Sequence, residues 1–414
     1  MGDPETGSRA SAPEKAAGTT RPVVADAVPG GSGPSGPVTP ATPPKAGRGV
    51  PRWVPVVAVL AALALAAAVF VGLRAANGGD GSAAEPDRVR PTRSVDPDHT
   101  PGTLFVSPEG SDDAAGTEGE PLGTLGTALA RLQPGDTLVV ADGEYRESLR
   151  DLVIAPGQAD RRIRVEAAPG ANPVLVGHLW LTGADYWDVT GLDVRWDSRN
   201  NKGNHMVKFI GGTGWSLTAG ELSRAKSYAA LLISGGANKF TVSDMYIHDT
   251  RKANGRNQDH LVYVNTDARG GVIERNVLVG SPNGRAIKVG PPEDGGDEVL
   301  GNVVIRYNTM VDNRGPSNVS LSYNTSGVKI YRNIMVDPDK GMANVTAKDL
   351  SGSGNRVWDN VIFGSEGPDE PGTDGLEDGG GNVVADPDFT DPAGGDFHPR
   401  NPKATGYGAY APGS

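Results

Sequence analysis

The sequence predicts an all-β chain in which residues 103–414 form a right-handed parallel β-helix, preceded by a disordered tail and one transmembrane helix. Three observations lead to this fold class. A strand-like pattern recurs through the C-terminal part, a small or amide residue marks the same place in each recurrence, and one uncharged run interrupts a Pro/Gly-rich N-terminus. Repeats that share a strand position stack into a solenoid with a continuous core.

Composition and charge exclude several function classes. The chain has 414 residues and no cysteine, so disulfides and cysteine-ligated metals are excluded. Its net charge is −11, and residues 1–99 carry ten basic against nine acidic side chains, so the excess of acid lies in the rest. Because an acidic domain repels polyanions at long range, the sequence predicts no nucleic-acid binding.

The N-terminal region divides into a tail and a hydrophobic run. Residues 1–52 are rich in Pro, Gly and Ala, bury too little apolar surface to fold, and are expected to be disordered. Residues 53–73 are 21 residues without a charge, and about 20 apolar residues cross the ~30 Å core of a bilayer. A cleaved signal peptide is the alternative, but the region before the run is too long for the usual short n-region. We expect an uncleaved transmembrane helix.

Flanking charges predict the orientation of this helix. Lys45, Arg48 and Arg52 precede the run closely, and the positive-inside rule then places the N-terminus in the cytoplasm. Residues 74–102 are expected to be a flexible linker. The prediction is therefore a single-pass protein of the cell membrane whose β-helix domain, residues 103–414, is extracellular and monomeric.

The repeat is the strongest signal in the sequence. Seven segments, such as NVVIRYNTMV and SGVKIYRNIMV, alternate apolar and polar residues around one small or polar position. That position is occupied by Gly191, Gly220, Asp244, Asn276, Asn308, Asn333 and Asn360. The spacings vary between 24 and 32 residues, as expected of coils that differ in loop length. An antiparallel sandwich would instead need hairpin signals about every 8–12 residues, which are missing.

Asparagine suits a corner between two strands. It tolerates left-handed backbone, and its amide can bond to an identical amide one coil away. We therefore expect Asn276, Asn308 and Asn333 to point inward and to stack across successive coils.

The sequence predicts a covering segment at each end of the repeat region. Leu125, Leu129 and Leu132 have helical spacing and predict a short helix that covers the first coil. The aromatic C-terminal tail is expected to cover the last coil. The segment FVSPEGSDDAAGTEGEPLGTLGTALARLQPGDTLVVADGEYRE resembles the opening segment of right-handed parallel β-helix proteins of the pectate-lyase-like superfamily, and ADPDFTDPAGGDFHPRNPKA is similar to their end segment.

The resemblance covers residues 103–414 and implies a fold more than an activity. The superfamily includes pectate, alginate and chondroitin lyases, uronate epimerases, hydrolases and non-enzymatic surface proteins. Its polysaccharide-acting members generally bind sugar in a groove along one outer sheet. The DPHD motif of mannuronan epimerases is absent from this chain.

Candidate catalytic residues follow from strands that share one frame. Two polar residues flank two apolar ones in His205–Lys208, His260–Tyr263 and Arg285–Lys288. The compact candidate set, on neighbouring coils about 4.8 Å apart, is His260, Tyr263, Arg285 and Lys288. Elimination across a uronic acid needs a cation for the carboxylate, a base for the C5 proton and an acid for the leaving oxygen, which such side chains supply. Ordinary solvated surface groups are the alternative interpretation.

The orientation of two of these residues is open in the sequence. Both residues of the pair Leu261/Val262 are apolar, as are Ala286/Ile287, and a straight strand cannot turn both inward. We expect His260 and Arg285 to point outward, because a buried Arg285 would need a carboxylate partner. The opposite phase would leave only Tyr263 and Lys288 in the groove.

The loop before His260 supplies candidate substrate-binding residues. It is the most polar and basic long loop of the domain, and its candidates are His248, Asp249, Arg251 and Asp259. The acidic run at 293–298 offers oxygen ligands for Ca²⁺ but lacks a spaced ligand loop, so the need for a cofactor stays open.

Two function classes remain for the chain. One is a membrane-anchored, extracellular enzyme that acts on a polysaccharide or cell-envelope glycan, as a lyase or epimerase of a uronate-containing glycan. The other is a non-catalytic carbohydrate-binding or adhesion module with the same fold.

Overall fold

The computed structural model of the chain describes residues 92–199, 205–251, 259–265, 267–291, 300–338, 343–365, 367 and 375–411. The predicted tail, the predicted transmembrane helix at 53–73 and residues 74–91 of the predicted linker lie outside these residues. Within the described ranges, no helix is long and apolar enough to cross a membrane.

The described residues form an all-β parallel solenoid, as predicted, and its coils contribute strands to three parallel sheets of 11, 8 and 10 strands. Sheet A consists of Thr103–Val106, Thr137–Val140, Ile163–Ala167, Trp187–Thr190, Ser216–Thr218, Thr241–Ser243, Val272–Glu274, Val304–Arg306, Lys329–Tyr331, Asn355–Trp358 and Leu376–Gly380. Sheet B consists of Ser148–Leu149, His178–Thr182, Val207–Ile210, Ala229–Ser234, His260–Val264, Ile287–Val289, Val319–Ser322 and Val345–Lys348. Sheet C consists of Gly143–Tyr145, Pro173–Val176, Asp193–Arg195, Glu221–Ser223, Tyr246–His248, Val277–Val279, Thr309–Val311, Ile334–Val336, Val361–Phe363 and Val383–Val384.

The remaining elements lie at the two ends of the domain. One α-helix spans Leu125–Arg131, and the Thr124 hydroxyl caps it by accepting from Thr127 N–H. Its buried face joins the main core through Leu125 and Leu129. Near the C-terminus, strands Phe389–Asp391 and Asp396–Pro399 pair antiparallel, and two 3₁₀ turns span Pro392–Gly394 and Pro402–Ala404.

The predicted asparagine ladder is confirmed at the corner between sheets A and C. The Nδ2 of Asn276 donates to Oδ1 of Asn308 over 2.9 Å, and Asn308 donates likewise to Asn333 over 3.0 Å. The row continues through Asn360 to Asn382. Because the carboxamides also satisfy buried backbone groups of neighbouring strands, each one links two coils.

The predicted alignment is wrong by one residue in two coils. Leu192 and Met245, not Gly191 and Asp244, occupy the ladder position, since each directly precedes a strand of sheet C. Met245 N–H donates to Asn276 Oδ1, and the Met245 sulfur accepts from Gly220 N–H, so the row continues without an amide there.

The left-handed residue of this corner is the one before the ladder position. Gly191 and Asp244 have φ of 72° and 56°. The equivalent residues in other coils are Ala219, Arg275, Tyr307, Arg332 and Asp359, with φ between 51° and 59°. A left-handed backbone is therefore not the reason for asparagine at this corner. Asparagine contributes there through the hydrogen bonds of its carboxamide.

A second buried amide network, which the repeat search missed, spans the corner between sheets C and B. Asn313 Nδ2 donates to Asn318 Oδ1 over 3.0 Å, and Asn318 Nδ2 donates to Asn344 Oδ1 over 2.7 Å. All three side chains are fully buried. Two of them lie in one coil, so they leave no regular spacing in the sequence.

The aromatic tail lies elsewhere than expected. It packs on the outer face of sheet C, where Ala385, Phe389, Ala404 and Tyr407 join a cluster with outward residues of that sheet such as Ile334. Backbone bonds fix the contact, since Gly408 N–H donates to Arg332 O over 2.9 Å. The tail therefore closes this part of sheet C, and the outer face of sheet B carries the residues predicted to act.

Candidate functional site

A row of side chains runs along the outer face of sheet B, parallel to the solenoid axis. Strand register aligns its members, here called the axial row: Trp180, Lys208, Leu232, Tyr263, Lys288, Ser320 and Thr346. Residues on both sides of each member in sequence, such as Val262 and Val264, point into the core. Neighbouring strands are about 4.8 Å apart, so the row presents one side chain per coil at a regular interval.

The sequence left open whether His260 and Arg285 point into the core or outward, and a bend where the chain enters sheet B decides between the two. Leu261 and Val262 both belong to the core, and so do Ala286 and Ile287. The residue before each pair therefore lies on the outer side. The His260 ring contacts the Tyr263 ring edge to face, with 5.7 Å between centroids.

The structure brings the four predicted catalytic residues together. Lys288 Nζ lies 4.6 Å from the Tyr263 ring centroid, and Arg285 N–H donates to His260 Nδ1 over 3.1 Å. The cluster is largely enclosed: His260 is 3%, Tyr263 8% and Arg285 8% exposed, whereas Lys288 is partly open to solvent. We call these four residues the Tyr263 cluster.

Hydrogen bonding assigns the protonation of His260. Because Nδ1 accepts the Arg285 N–H, the neutral ring carries its proton on Nε2. The pKa of His260 lies well below its usual value, first because of burial and then because of the positive charges of Arg285, Lys288 and His205. At neutral pH, His260 is a neutral hydrogen-bond donor in this arrangement, and the lone pair that a base would use is already occupied.

Arg285 is a charged group held in a fixed direction. Its Nε donates to Ser317 Oγ over 3.1 Å, and that hydroxyl lies 2.8 Å from Thr346 Oγ1. Burial lowers the pKa of Arg285 to about 10, which leaves the guanidinium charged at neutral pH. The cluster therefore holds a guanidinium, an amine and a phenol on two neighbouring coils.

Trp180 joins the row without having been predicted. Lys208 Nζ lies 4.2 Å from its ring centroid, and Trp180 Nε1 donates to His205 O over 2.9 Å. The segment that carries Trp180 lacks the sequence pattern, two polar residues flanking two apolar ones, by which the other three strands were compared. The same pattern aligned Lys208 with Tyr263 two coils away, and Leu232 is the residue on the coil between them.

The four predicted substrate-binding residues are divided between different places. His248 ends a strand of sheet C, with Nδ1 3.0 Å from Asp249 Oδ2 and Nε2 3.1 Å from Glu221 Oε1. Burial lowers the pKa of His248, but the carboxylates of Glu221 and Asp249 together raise it by more. The pKa of His248 therefore lies above its usual value. Asp249 and Arg251 line a cleft of about 630 Å³.

Asp259 lies inside the protein. It is fully buried, and its backbone carbonyl accepts from the hydroxyls of Thr250 and Ser281. Its place is at the base of the loop, where it positions the start of the His260 strand. Residues 252–258 of the loop lie outside the described residues.

The residues that the structure describes include no group of three or more His, Asp or Glu side chains that could hold a metal ion. The acidic run at 293–298 lies outside them, so the question of Ca²⁺ binding there stays open.

Comparison with known proteins gives matches among solved structures alone. No family model matches the chain, and no curated protein matches it. It is similar to the pectate lyase Pel9A, with 13% identity, 70% of this chain and 83% of that chain covered, and a TM-score of 0.41. It is also similar to an alginate lyase from Paenibacillus sp. str. FPU-7 (16% identity, 63% and 96% covered, TM-score 0.38).

A third similar structure is the lacto-N-biosidase from Eubacterium ramulus, with 12% identity, 68% of each chain covered and a TM-score of 0.37. At these identities the assignment of the fold rests on the sheets of this chain itself, which form a parallel β-solenoid.

Proposed function

We propose that the outer face of sheet B binds a polysaccharide and that the chain acts as a lyase or epimerase of a uronate-containing glycan. The observation that carries the proposal is the Tyr263 cluster, which joins a guanidinium, an amine, a phenol and a neutral imidazole on two neighbouring coils. Cations beside proton-transfer groups are what chemistry next to a sugar carboxylate requires.

The geometry supports a distinct role for each member. Arg285 is the candidate for neutralising the substrate carboxylate, because it is charged and held by Ser317. His260 is a candidate donor through Nε2–H rather than a base. Lys288, which is partly exposed, is the candidate base, and Tyr263 is the candidate acid.

The reaction balances with these groups. In a lyase, Lys288 in its neutral amine form takes the C5 proton, the C4–O bond breaks as the C4–C5 double bond forms, and the leaving oxygen takes a proton from Tyr263. In an epimerase, the same proton is removed and another is returned to the opposite face of C5, with no bond broken at C4. Both paths place extra negative charge on the carboxylate, where Arg285 stabilises it.

The second candidate function is a binding module without turnover. The Trp180–Lys208 pair favours it, because a partly exposed indole ring with Lys208 Nζ 4.2 Å from its centroid can stack on a sugar without any reaction.

The two functions are separated by assaying the full chain against polygalacturonate, alginate and chondroitin in D₂O, with a neutral xylan as control. A lyase generates ultraviolet absorbance from the unsaturated uronate. An epimerase incorporates deuterium at C5 without that absorbance. Binding to a uronate glycan with neither signal supports the module, and an absence of binding and product with all three would contradict both functions.

We further propose that residues 53–73 anchor the chain in the cell membrane with residues 103–414 outside. The uncharged run and the basic residues before it support this topology. Protease added to intact cells is expected to remove the large domain while a cytoplasmic marker survives. Protection of the domain, with release on lysis, would reverse the orientation.

A further inference from the structure

Two adjoining clefts lie where the chain leaves sheet C. One has a volume of about 630 Å³ and the other about 390 Å³, and both are lined by Arg224 and Arg251. Five arginines line the pair of clefts: Arg146, Arg195, Arg224, Arg251 and Arg314. We call this surface the arginine cleft; it is basic although the chain carries a net charge of −11.

The solenoid aligns these arginines. Arg224 and Asp249 directly follow neighbouring strands of sheet C, and both are left-handed, with φ of 62° and 53°. Gly280 and Asp312 repeat this conformation after strands further along the sheet. Because the same turn recurs in each coil, residues shortly after it meet along one edge of the solenoid.

The acidic side chains in the cleft are already engaged. Asp197 accepts from Nε and a terminal nitrogen of Arg199, Asp312 lies 2.5 Å from Arg314 Nε, and Asp249 contacts His248. At the far end, Arg146 and Arg195 both pair with Glu144.

Arg224 and Arg251 differ from the other arginines. Both are exposed, and within the described part of the chain their guanidinium groups form no ion pair or side-chain hydrogen bond. The carboxylate of Glu221, which acts electrostatically on Arg224, is already held 3.1 Å from His248 Nε2. Two guanidinium groups shared by both clefts are thus available to an anion.

We propose that the arginine cleft binds an anionic glycan segment, with Arg224 and Arg251 as its main contacts. A planar guanidinium binds carboxylate or sulfate oxygens with two parallel hydrogen bonds. Each cleft falls in the volume range of small-ligand sites, about 300–1,000 Å³, which suits a few sugar units. This site is separate from the Tyr263 cluster, and it binds whether or not that cluster catalyses a reaction.

The test compares two double variants of the full chain that lose the same charge. Arg224→Gln/Arg251→Gln changes the cleft, whereas Arg164→Gln/Lys329→Gln removes two exposed cations from sheet A. Binding of fluorescent dextran sulfate and polygalacturonate is measured for each, with neutral dextran as the control ligand. We expect the cleft variant to bind at least about tenfold more weakly and the sheet A variant to stay within about twofold.

The two ligands identify the anion, since one carries sulfate and the other carboxylate. The proposal is overturned if neither polymer binds, or if the cleft variant loses no more affinity than the sheet A variant. Since all four substituted residues of the double variants are exposed, circular dichroism should be unchanged in each.

Discussion

Replacement of Lys288 by alanine is expected to lower the rate of uronate elimination or C5 exchange by at least about a hundredfold, as loss of a general base does. The side chain is the partly exposed amine of the Tyr263 cluster, 4.6 Å from the centroid of the phenol ring. Arg285→Ala is expected to have a loss of similar size, because the substrate carboxylate then lacks its cation. Initial rates with the polysaccharide turned over by the wild type measure both effects.

A matched control is available on the same sheet. Lys348 also lies over a tyrosine ring, 6.0 Å from the centroid of Tyr323, but on the last strand of sheet B. Lys348→Ala should keep full activity, and all three variants should retain the thermal unfolding of a folded solenoid. Wild-type rates in both Lys288→Ala and Arg285→Ala would remove the chemistry from this cluster.

Replacement of Asn308 by leucine is expected to lower the free energy of unfolding by about 3 kcal/mol or more. The carboxamide accepts from Asn276 N–H and Nδ2, and it donates to Ile273 O and Asn333 Oδ1. A leucine leaves several of these buried groups unpaired, and each costs roughly 1–3 kcal/mol. Urea denaturation followed by circular dichroism measures the change.

Asn172 provides the comparison for this variant, because it is exposed. Asn172→Leu should stay within about 0.5 kcal/mol of the wild type. An effect of Asn308→Leu no larger than that of Asn172→Leu would mean that the ladder contributes little to the stability of the coils.

The architecture could be predicted because identical residues recur where the structure demands identical contacts. Asn276, Asn308, Asn333 and Asn360 fill the same corner, and each bonds to the next. The same reasoning failed at Gly191 and Asp244. These residues favour left-handed backbone and do adopt it, so the search aligned them with the ladder although the next residue occupies it.

The site could be predicted in part. The repeat fixes which residues of neighbouring strands lie side by side. The shared sequence pattern aligned Tyr263 with Lys288, and the two residues are paired in sheet B. The outward position of His260 depends on a bend that lets Leu261 and Val262 both face the core, and alternation alone does not reveal such a bend. Side-chain burial also depends on loops from other coils, which explains why Asp259 was expected to reach substrate but is enclosed.

The two kinds of corner described here differ in whether their length is constant from coil to coil. Between sheets A and C, the connection is two residues long in each coil from Trp187 onward, and from Asn276 onward the asparagine ladder links successive connections. Between sheets C and B, it runs from 224 to 228 in one coil and from 249 to 259 in the next. Insertions at the second corner reshape the surface without shifting the core register. Loop length can therefore differ from coil to coil at the second corner, while the short first corner keeps successive coils in register.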